Sequence, residues 1–425
     1  MMHLFGFKNT LLLVAITLFS VSFSCQNTTS LKKRIAVDTL TVNRKSLKII
    51  TGAEQTDTYI RLIKGKTIGI VANQTAVISS LTETIEQGNN SFGFAFIHVV
   101  DFLNKNHKKI KAVFAPEHGF RGTADAGETV KNGVDTKTDL PIISLYGKNK
   151  KPTPKQLDGI DIMLFDIQDV GARFYTYIST LHYVMEACAE NNVKLIVLDR
   201  PNPNGHYIDG PVLEKEFSSF VGMHPVPVVH GMTIGEYAKM INGEGWLKNK
   251  IQCDLTVITL QNYTHKTEYS LPIKPSPNLP NAIAINLYPS LCLFEGTSVS
   301  VGRGTDMQFQ VFGAPFLPQE QFSFTFTPQP NEGAKHPKYE GILCYGKNLE
   351  NTNRLGALNL EWLIDAYKNS PDKTRFFNSF FTKLAGTEQL QKQIEQGFTA
   401  QEIRKTWSAG LKKYDRMRQP YLLYD

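Results

Sequence analysis

The sequence has few cysteines, and it lacks the motifs of several common enzyme classes. Five cysteines occur in 425 residues, and none has a CxxC or CxxxxH spacing, which argues against a structural zinc site. Four lie mostly within apolar stretches and are predicted to be buried free thiols: Cys188, Cys253, Cys292 and Cys344. No GxSxG, HExxH or P-loop motif is present, and no GxGxxG follows the first predicted strand. Serine hydrolysis, zinc proteolysis, NTP hydrolysis and dinucleotide binding therefore lack their sequence signatures.

Concentrated charge is also missing. The formal net charge is +7, but the basic residues are spread along the chain, with short runs only at residues 32–34 and 148–151. A surface that binds nucleic acid would need a denser basic stripe, so no nucleic-acid partner is predicted. The length of 425 residues exceeds what a single core usually supports, which favours two domains.

The first 52 residues have the composition of an export signal followed by a tether. Lys8 precedes an apolar run, residues 11–19, that is too short to span a bilayer. We predict a signal peptide over residues 1–24 and a tether and polar segment over residues 25–52. A lipid on Cys25, which follows the small residue Ser24 as in bacterial lipoproteins, would be the only membrane attachment; ordinary signal cleavage nearby is the alternative. Both predict an exported protein, periplasmic or anchored at the cell envelope.

From residue 53 onward the chain alternates strand and helix patterns. Strands apolar on both faces are typical of a parallel sheet covered by helices. The predicted strands occupy residues 67–73, 111–117, 141–147, 161–167, 194–200 and 254–260. The alternation predicts an α/β fold with a Rossmann-like, doubly wound parallel sheet over residues 53–264.

Helices are predicted between these strands and in the second part of the chain. One is expected around residues 94–106, a second over residues 177–190, and a third after Thr233, which forms a capping box with Glu236. Four prolines within residues 271–280 exclude helix and central strand there. Short strand-like and helical patterns follow, and they predict a smaller α+β C-terminal domain over residues 265–425 that closes a cleft.

Three of the predicted strands break off into clusters of polar residues. These are PEHGFRG (residues 116–122), FDIQDVGARFYTY (residues 165–177) and DRPNPNG (residues 199–205). Ligands of open parallel sheets bind beyond the carboxyl ends of the strands. We therefore expect the three clusters to meet around one crevice, which is typical of an enzyme.

The first cluster offers a general acid. Glu117 falls at the end of a strand, where a partly dry cleft can raise the pKa of a carboxyl group enough for proton donation. His118 beside it is a candidate substrate contact. The alternative for Glu117 is a structural ion pair with Arg121 or Arg173.

The second cluster contains two more candidate catalytic carboxylates, Asp166 and Asp169, which would have divergent pKa values if they shared the site. Arg173 is a candidate substrate contact, and the rings of Tyr175 and Tyr177 could stack on a sugar. In the alternative interpretation, Asp166 caps the following turn and Tyr175 belongs to the core.

The third cluster is a loop stiffened by two prolines, which suits recognition of hydroxyl groups. Its candidate substrate contacts are Asp199, Arg200 and Asn202, with Asn204 projecting from the same loop. The alternative is a structural turn in which these side chains bind backbone groups.

Further candidate contacts lie later in the chain. His230 repeats the strand-end pattern, with a buried structural histidine as the alternative. Asn278, Glu295 and Arg303 of the second domain are expected to close the crevice from the opposite side.

Several long motifs recur together in a known family. They include FAPEHGFRG, FDIQDVGARFYTYISTLHYVMEA, DRPNPNG, HGMTIGE, PSPNLP, LYPSLCLFEGT and VGRGT. In this order they resemble the exo-acting β-N-acetylmuramidases of the NamZ family, long catalogued only as a domain of unknown function. The resemblance extends from about residue 66 to the C-terminus.

The resemblance implies a Rossmann-like domain joined to a smaller C-terminal domain, with a cleft between them. It also implies removal of N-acetylmuramic acid from the non-reducing end of peptidoglycan fragments. The expected substrates are peptidoglycan-derived disaccharides and muropeptides, without a cofactor. The prominent glutamate of the family corresponds to Glu117.

A mechanism follows as a hypothesis. Glu117 protonates the glycosidic oxygen, while Asp169 or Asp166 stabilises positive charge, positions water or orients the 2-acetamido group. Arg173, Arg200 or Arg303 would bind the lactyl carboxylate, since a guanidinium grips a carboxylate through two hydrogen bonds.

Two other functions remain open from the sequence. The first is a metal-dependent hydrolase, whose ligands would be Glu117, His118, Asp166, Asp169 and His230. The second is a non-catalytic lipoprotein that binds muropeptides in the same crevice.

Overall fold

A seven-stranded sheet occupies the centre of the N-terminal part of the chain. The structure is a computed structural model that describes residues 48–86, 89–122, 128 and 131–425. The strands of the described part of the chain, which form this sheet and two smaller ones, are β1 (Thr67–Ala72), β2 (Val77–Glu86), β3 (Asn89–His98), β4 (Lys109–Ala115), β5 (Gly133–Val134), β6 (Pro141–Ser144), β7 (Ile162–Asp166), β8 (Lys194–Leu198), β9 (Leu255–Ile258), β10 (Val311–Ala314), β11 (Phe324–Phe326) and β12 (Cys344–Asn348).

The order of the central sheet is β5-β6-β4-β1-β7-β8-β9. All neighbouring pairs are parallel except β5 and β6 at one edge. The six parallel strands, renumbered along the chain, have the order 3-2-1-4-5-6 of a doubly wound Rossmann-like fold. The α/β prediction is therefore confirmed. In such a fold the strand order reverses between β1 and β7. The expected ligand crevice lies beyond the carboxyl ends of these strands and their neighbours.

Helices cover the sheet and build most of the C-terminal part. They are α1 (Thr56–Leu62), α2 (Val99–Lys105), α3 (Pro154–Leu157), α4 (Tyr177–Glu190), α5 (Ile234–Gly243), α6 (Ala282–Leu291), α7 (Glu361–Lys368), α8 (Phe381–Ala385), α9 (Gln389–Glu395) and α10 (Ala400–Arg418). The predicted helix over residues 177–190 is confirmed. The capping box at the start of α5 is also confirmed, because Thr233 Oγ1 accepts from the backbone N–H of Glu236.

One predicted helix begins later than expected. Residues 94–98 belong to β3, which pairs antiparallel with β2, and the helix starts only at Val99. The hairpin satisfies the backbone groups of these residues across the strands. His98 then caps α2, because its Nδ1 accepts from the N–H of Val100 at 3.2 Å.

The C-terminal part packs a three-stranded antiparallel sheet, in the order β10-β12-β11, against helices. One hydrophobic core cluster joins this part to the parallel sheet, since it contains Met163 and Tyr177 as well as Phe312 and Trp407. The domain boundary between residues 264 and 265 stays a prediction.

The four cysteines that follow Cys25 are buried and free, as predicted. The predicted signal peptide, Cys25 and most of the tether lie outside the described residues. Among those that are described, no helix is long and apolar enough to cross a bilayer.

Candidate active site

A cavity of about 720 Å³ opens where β4, β6 and β7 end, and the C-terminal part forms its other wall. This volume is typical of a small-molecule site. The site residues predicted from the sequence that line it are Glu117, His118, Tyr175, Asn278, Glu295 and Arg303.

Glu117 lies two residues beyond the end of β4 and is only partly buried. Its Oε2 accepts a hydrogen bond of 2.7 Å from the hydroxyl of Thr176, the residue before α4. The hydroxyl of Tyr146, which follows β6, also hydrogen-bonds to Glu117, and burial together with this carboxylate raises the pKa of Tyr146 above its usual value. Segments that follow three strands of the sheet, β4, β6 and β7, therefore fix one carboxylate at the cavity.

The chain turns sharply directly after Glu117. His118 and Gly119 both have positive φ values, 68° and 77°, and the N–H of Gly119 donates to the carbonyl of Pro116 at 3.0 Å. A left-handed histidine is uncommon, and such conformations cluster at functional sites. The turn leaves Glu117 and His118 in the wall while the backbone moves away from the cavity.

Tyr175 is the aromatic residue of the second cluster that reaches the wall. Its side chain is mostly buried, and its ring contacts those of Tyr177 and Tyr288, with the centroids 4.7 and 5.8 Å away. The hydroxyls of Tyr175 and Tyr177 both donate to the carbonyl of Pro275. Tyr177 itself is only 1% exposed and does not line the cavity, so the predicted stacking surface is narrower than two rings.

Asn278 brings an oriented amide to the wall. Its Nδ2 donates to the carbonyl of Gly333 at 2.6 Å, while its Oδ1 is buried and has no hydrogen-bond partner in the part of the chain that the structure describes. A buried acceptor without a donor is costly. A ligand N–H or O–H would satisfy it.

Glu295 and Arg303 line the cavity as an ion pair. Arg303 Nε lies 2.5 Å from one carboxylate oxygen, and Nη2 lies 3.0 Å from the other. The pair is bidentate, which makes both side chains rigid. The pKa of Arg303 is raised above its usual value because Glu295 outweighs the effect of burial.

Asp166 and Arg200 do not line the cavity. They form a buried bidentate pair, with Arg200 Nε and Nη2 donating to the two carboxylate oxygens at 2.5 and 2.9 Å. Burial raises the pKa of Asp166, and Arg200 opposes that shift. Arg200 also donates to the carbonyl of Val77, so this pair ties β7, the third cluster and the hairpin together.

Arg173 is fully buried behind the cavity wall rather than in it. Its Nη1 donates to the carbonyls of Pro211 and Val226, both at 2.8 Å. Its Nη2 donates to the carbonyls of Leu384 and Ala385 at 2.9 and 2.7 Å. In this structure the guanidinium fastens two parts of the chain and does not face a ligand.

Asp169 and His230 form a second buried pair away from the wall. The Oδ2 of Asp169 accepts from the N–H of Gly171 at 2.7 Å and lies 3.6 Å from His230 Nε2. Its Oδ1 has no hydrogen-bond partner among the described residues. Burial raises the pKa of Tyr175, Tyr177 and Tyr288 add to that rise, and the charge of Asp169 makes a smaller contribution in the same direction. This carboxylate therefore acts weakly on a residue of the wall.

The third cluster serves mainly to connect loops. Asp199 accepts from two backbone N–H groups and from the hydroxyls of Thr233 and Tyr424, and burial raises its pKa to about 6. Asn202 donates to the carbonyl of Met232, and Asn204 donates to those of Val170 and Ile285. The alternative of a structural turn describes these contacts better than hydroxyl recognition does.

Other residues of the wall were not found from the sequence. They include Tyr146, Lys150, Thr176, Phe220 and Lys338. Tyr146 lies at the end of the predicted strand over residues 141–147, where polar residues are expected to line the crevice, so the sequence pattern could have identified it. Thr176 lies within the second cluster. Phe220 and Lys338 belong to loops without a strand or motif signal.

The metal ligands of the alternative hydrolase are not assembled into one site. Among the described residues, no group of three or more His, Cys, Asp or Glu side chains is placed to hold a metal ion. Asp166 is paired with Arg200, and Asp169 and His230 lie away from the wall that carries Glu117.

Two solved structures share this fold. Both are crystal structures of DUF1343 family proteins from Bacteroides fragilis. One is 46% identical, has a TM-score of 0.79 and matches 89% of this chain and 99% of the other. The second is 28% identical, has a TM-score of 0.74 and matches 89% of this chain and 100% of the other.

The sequence comparisons name the family. Residues 68–283 match the N-terminal and residues 286–424 the C-terminal part described as exo-beta-N-acetylmuramidase NamZ. The chain is 39% identical over 404 residues to the peptidoglycan beta-N-acetylmuramidase NamZ of Bacillus subtilis strain 168, covering 89% of this chain and 92% of that protein. Together with a fold and a cavity that present the Glu117 motif, these matches show that the chain belongs to the exo-β-N-acetylmuramidase NamZ family and is a glycosidase.

Proposed function

We propose that this protein is an exo-acting hydrolase that releases N-acetylmuramic acid from the non-reducing end of peptidoglycan fragments, with Glu117 as the general acid. Family membership and the name of the Bacillus subtilis relative support the substrate class. The observation that carries the residue assignment is the position of Glu117, which reaches the cavity and is held by Thr176 and Tyr146.

The proposed reaction needs proton transfer at the leaving oxygen. Glu117 donates a proton to the glycosidic oxygen as the bond to the anomeric carbon breaks, and water completes the hydrolysis. Thr176 and Tyr146 hold the carboxyl group in one orientation, which favours proton transfer along a defined direction.

Asp169 is the proposed partner of Glu117. Its Oδ1 has no hydrogen-bond partner in the described part of the chain, and its charge acts on Tyr175 in the wall. A negative charge behind this wall would stabilise the positive charge that develops on the sugar in the transition state. Asp166 is less suitable, because Arg200 already neutralises it.

The test is hydrolysis of a β-1,4-linked disaccharide of N-acetylmuramic acid and N-acetylglucosamine by the purified protein. Free N-acetylmuramic acid should appear, and longer glycan fragments should lose only this terminal sugar. Glu117→Gln should lower kcat by at least about two orders of magnitude, because an amide cannot donate the proton.

Glu268→Gln provides a matched control. Glu268 is exposed and pairs with Arg354 outside the cavity, so this variant should retain normal turnover. Unfolding curves of both variants should coincide with that of the wild type. Near-normal activity of Glu117→Gln would reject its role, and failure of the wild-type protein to release any sugar would reject the function.

We also propose that the protein acts in the cell envelope, anchored by a lipid on Cys25. The short apolar run after Lys8 and the Ser24-Cys25 step support this location. Metabolic labelling with a radioactive fatty acid should mark the wild type but not Cys25→Ser. Equal labelling of both proteins would contradict lipidation at this cysteine.

A further inference from the structure

Lys338 lines the cavity, and the residue as a whole is exposed, although its ammonium end is partly buried. It lies on the loop between β11 and β12. Its ammonium group donates to the carbonyls of Thr297 and Val299 at 2.6 and 2.9 Å. A lysine has three N–H donors, and no protein acceptor for the third is found in the described part of the chain. Two fixed carbonyls therefore hold a cation that retains one donor.

The charge of Lys338 is not balanced by its surroundings. The charged groups that act on it are Glu295 and Arg303, and these two neutralise each other as a bidentate pair. The three side chains together carry one excess positive charge. Burial of the ammonium group lowers the pKa of Lys338 to about 8, with Glu295 opposing that shift and Arg303 adding to it.

N-acetylmuramic acid differs from N-acetylglucosamine by a lactyl ether that ends in a carboxylate. We propose that Lys338 binds this carboxylate and is the residue that makes the site prefer muramic acid over glucosamine. This inference rests on the proposed function. A carboxylate would accept the remaining N–H of Lys338 and would neutralise the excess charge of the cluster.

Other cations near the site are less suitable for this role. Arg173 and Arg200 are buried outside the wall. Nη1 and Nη2 of Arg173 and Nε and Nη2 of Arg200 donate to protein groups. Lys150 does line the cavity, but its ammonium group lies over the Phe220 ring, 4.4 Å from the centroid. Lys338 is fixed by two hydrogen bonds, so less conformational freedom is lost when a ligand binds.

The experiment compares two aryl β-glycosides of N-acetylmuramic acid, one with the free lactyl carboxylate and one with its methyl ester. The wild type should prefer the free acid. Lys338→Met should lower kcat/KM for the free acid by about 10- to 100-fold, the range of one charge-assisted contact, and should change the value for the ester by less than about threefold. Lys338→Arg, which keeps the charge, should restore most of the preference.

The pH dependence gives an independent readout. The preference of the wild type for the free acid should decrease as the pH rises through about 8, because the ammonium group of Lys338 loses its proton at its lowered pKa. An arginine stays charged over this range, so Lys338→Arg should keep its preference up to about pH 9.5.

Lys150→Met is the matched control, since it removes the lysine that lies over the Phe220 ring and should leave the preference intact. The proposal is overturned if Lys338→Met affects both substrates equally, or if only Lys150→Met abolishes the preference. If the wild type hydrolyses neither glycoside, the proposed function fails. Calorimetry then measures the binding of free N-acetylmuramic acid and of N-acetylglucosamine. The role of Lys338 is rejected if Lys338→Met still binds N-acetylmuramic acid more tightly than N-acetylglucosamine.

Discussion

At the scale of single residues, the structure distinguishes carboxylates that face the cavity from those that hold the protein together. Glu117 is the clearest case of the first kind. Its two hydroxyl partners come from different segments, Tyr146 from the residues just after β6 and Thr176 from the loop between β7 and α4. The orientation of the carboxyl group should therefore depend on both.

Removing one of these partners should impair catalysis without affecting the fold. We expect Tyr146→Phe to lower kcat by about tenfold, since one hydrogen bond of about 1 to 1.5 kcal/mol to the acid is lost, with little change in KM. Tyr183→Phe is the control, because it removes a tyrosine hydroxyl from a residue whose described ring contacts are with His182 and Phe220 and not with Glu117. Steady-state kinetics on the disaccharide measure both; equal effects would argue against positioning by Tyr146.

Asp166 and Asp169 should respond differently to replacement by asparagine. Asp166→Asn leaves the buried Arg200 without its counter-charge, which should cost about 3 to 5 kcal/mol of unfolding free energy while the remaining folded protein stays active. Asp169→Asn should instead lower kcat at least about tenfold with a smaller loss of stability. Urea unfolding combined with kinetics separates the two. A catalytic defect confined to Asp166→Asn would reverse the assignments.

The residues of the site were only partly predictable from the sequence. Glu117 could be found because its position depends on a local feature, the end of an apolar strand. The environments of Arg173 and Asp199 could not, because they depend on carbonyls and a hydroxyl that lie 212 and 225 residues further along the chain. Local patterns contain no information about such distant partners.

At the scale of helices and strands, the sequence pattern was most informative where both faces are buried. β7 and β8 form continuous apolar runs because helices cover both sides of the sheet. The β2-β3 hairpin was missed, since its strands mix polar and apolar residues. The length and position of α4 followed directly from its helical spacing of apolar residues.

The loops beyond the strands depend on close contacts that can be tested. Gly171 has a φ of 79°, and a Cβ placed on it would lie 2.3 to 2.8 Å from the carboxamide of Asn202. We expect Gly171→Ala to reduce the unfolding free energy by more than about 2 kcal/mol, combining backbone strain with displacement of Asn202.

Gly65→Ala isolates the contribution of the backbone. Gly65 has a similar φ of 74° but no atom within 4 Å of the added Cβ, so we expect a loss of about 1 to 2 kcal/mol from strain alone. Chemical denaturation of the two variants measures the difference. Equal losses of unfolding free energy in the two variants would mean that the close contact between the added Cβ and Asn202 does not destabilise Gly171→Ala.

At the scale of the whole molecule, the C-terminus closes onto the parallel sheet. The hydroxyl of Tyr424 donates to Asp199 at 2.6 Å and accepts from the N–H of Leu260. The N–H of Leu423 donates to Glu236 in α5. The final residues of the chain therefore cover a buried carboxylate at the end of β8.

The stability of this contact should depend on pH. The folded-state pKa of Asp199, about 6, lies above its ordinary value of 3.8. This carboxyl group therefore favours folding most below about pH 4, and that contribution is lost as the pH rises through about 6. Above about pH 6 the carboxylate is charged, and its hydrogen bond from Tyr424 becomes stronger.

Tyr424→Phe should consequently destabilise the protein more at about pH 8 than at about pH 5, by about 2 to 3 kcal/mol against about 1 kcal/mol. Tyr421→Phe is the control, because its hydroxyl donates to the exposed side chain of Glu244 and should matter little at either pH. Urea unfolding at the two pH values measures both variants. A penalty for Tyr424→Phe that does not change with pH would contradict the charged state of Asp199.

The buried guanidinium of Arg173 limits how this chain can be divided in evolution or by recombination. Two of its carbonyl acceptors belong to the segment before residue 283, and two belong to the segment after residue 286. If one segment is replaced by the corresponding segment of a distant relative, the new segment must provide two carbonyls at the same positions. Otherwise the charged guanidinium of Arg173 stays buried with only two of its four carbonyl acceptors. We therefore expect the two segments to be inherited and exchanged as one unit rather than as interchangeable modules.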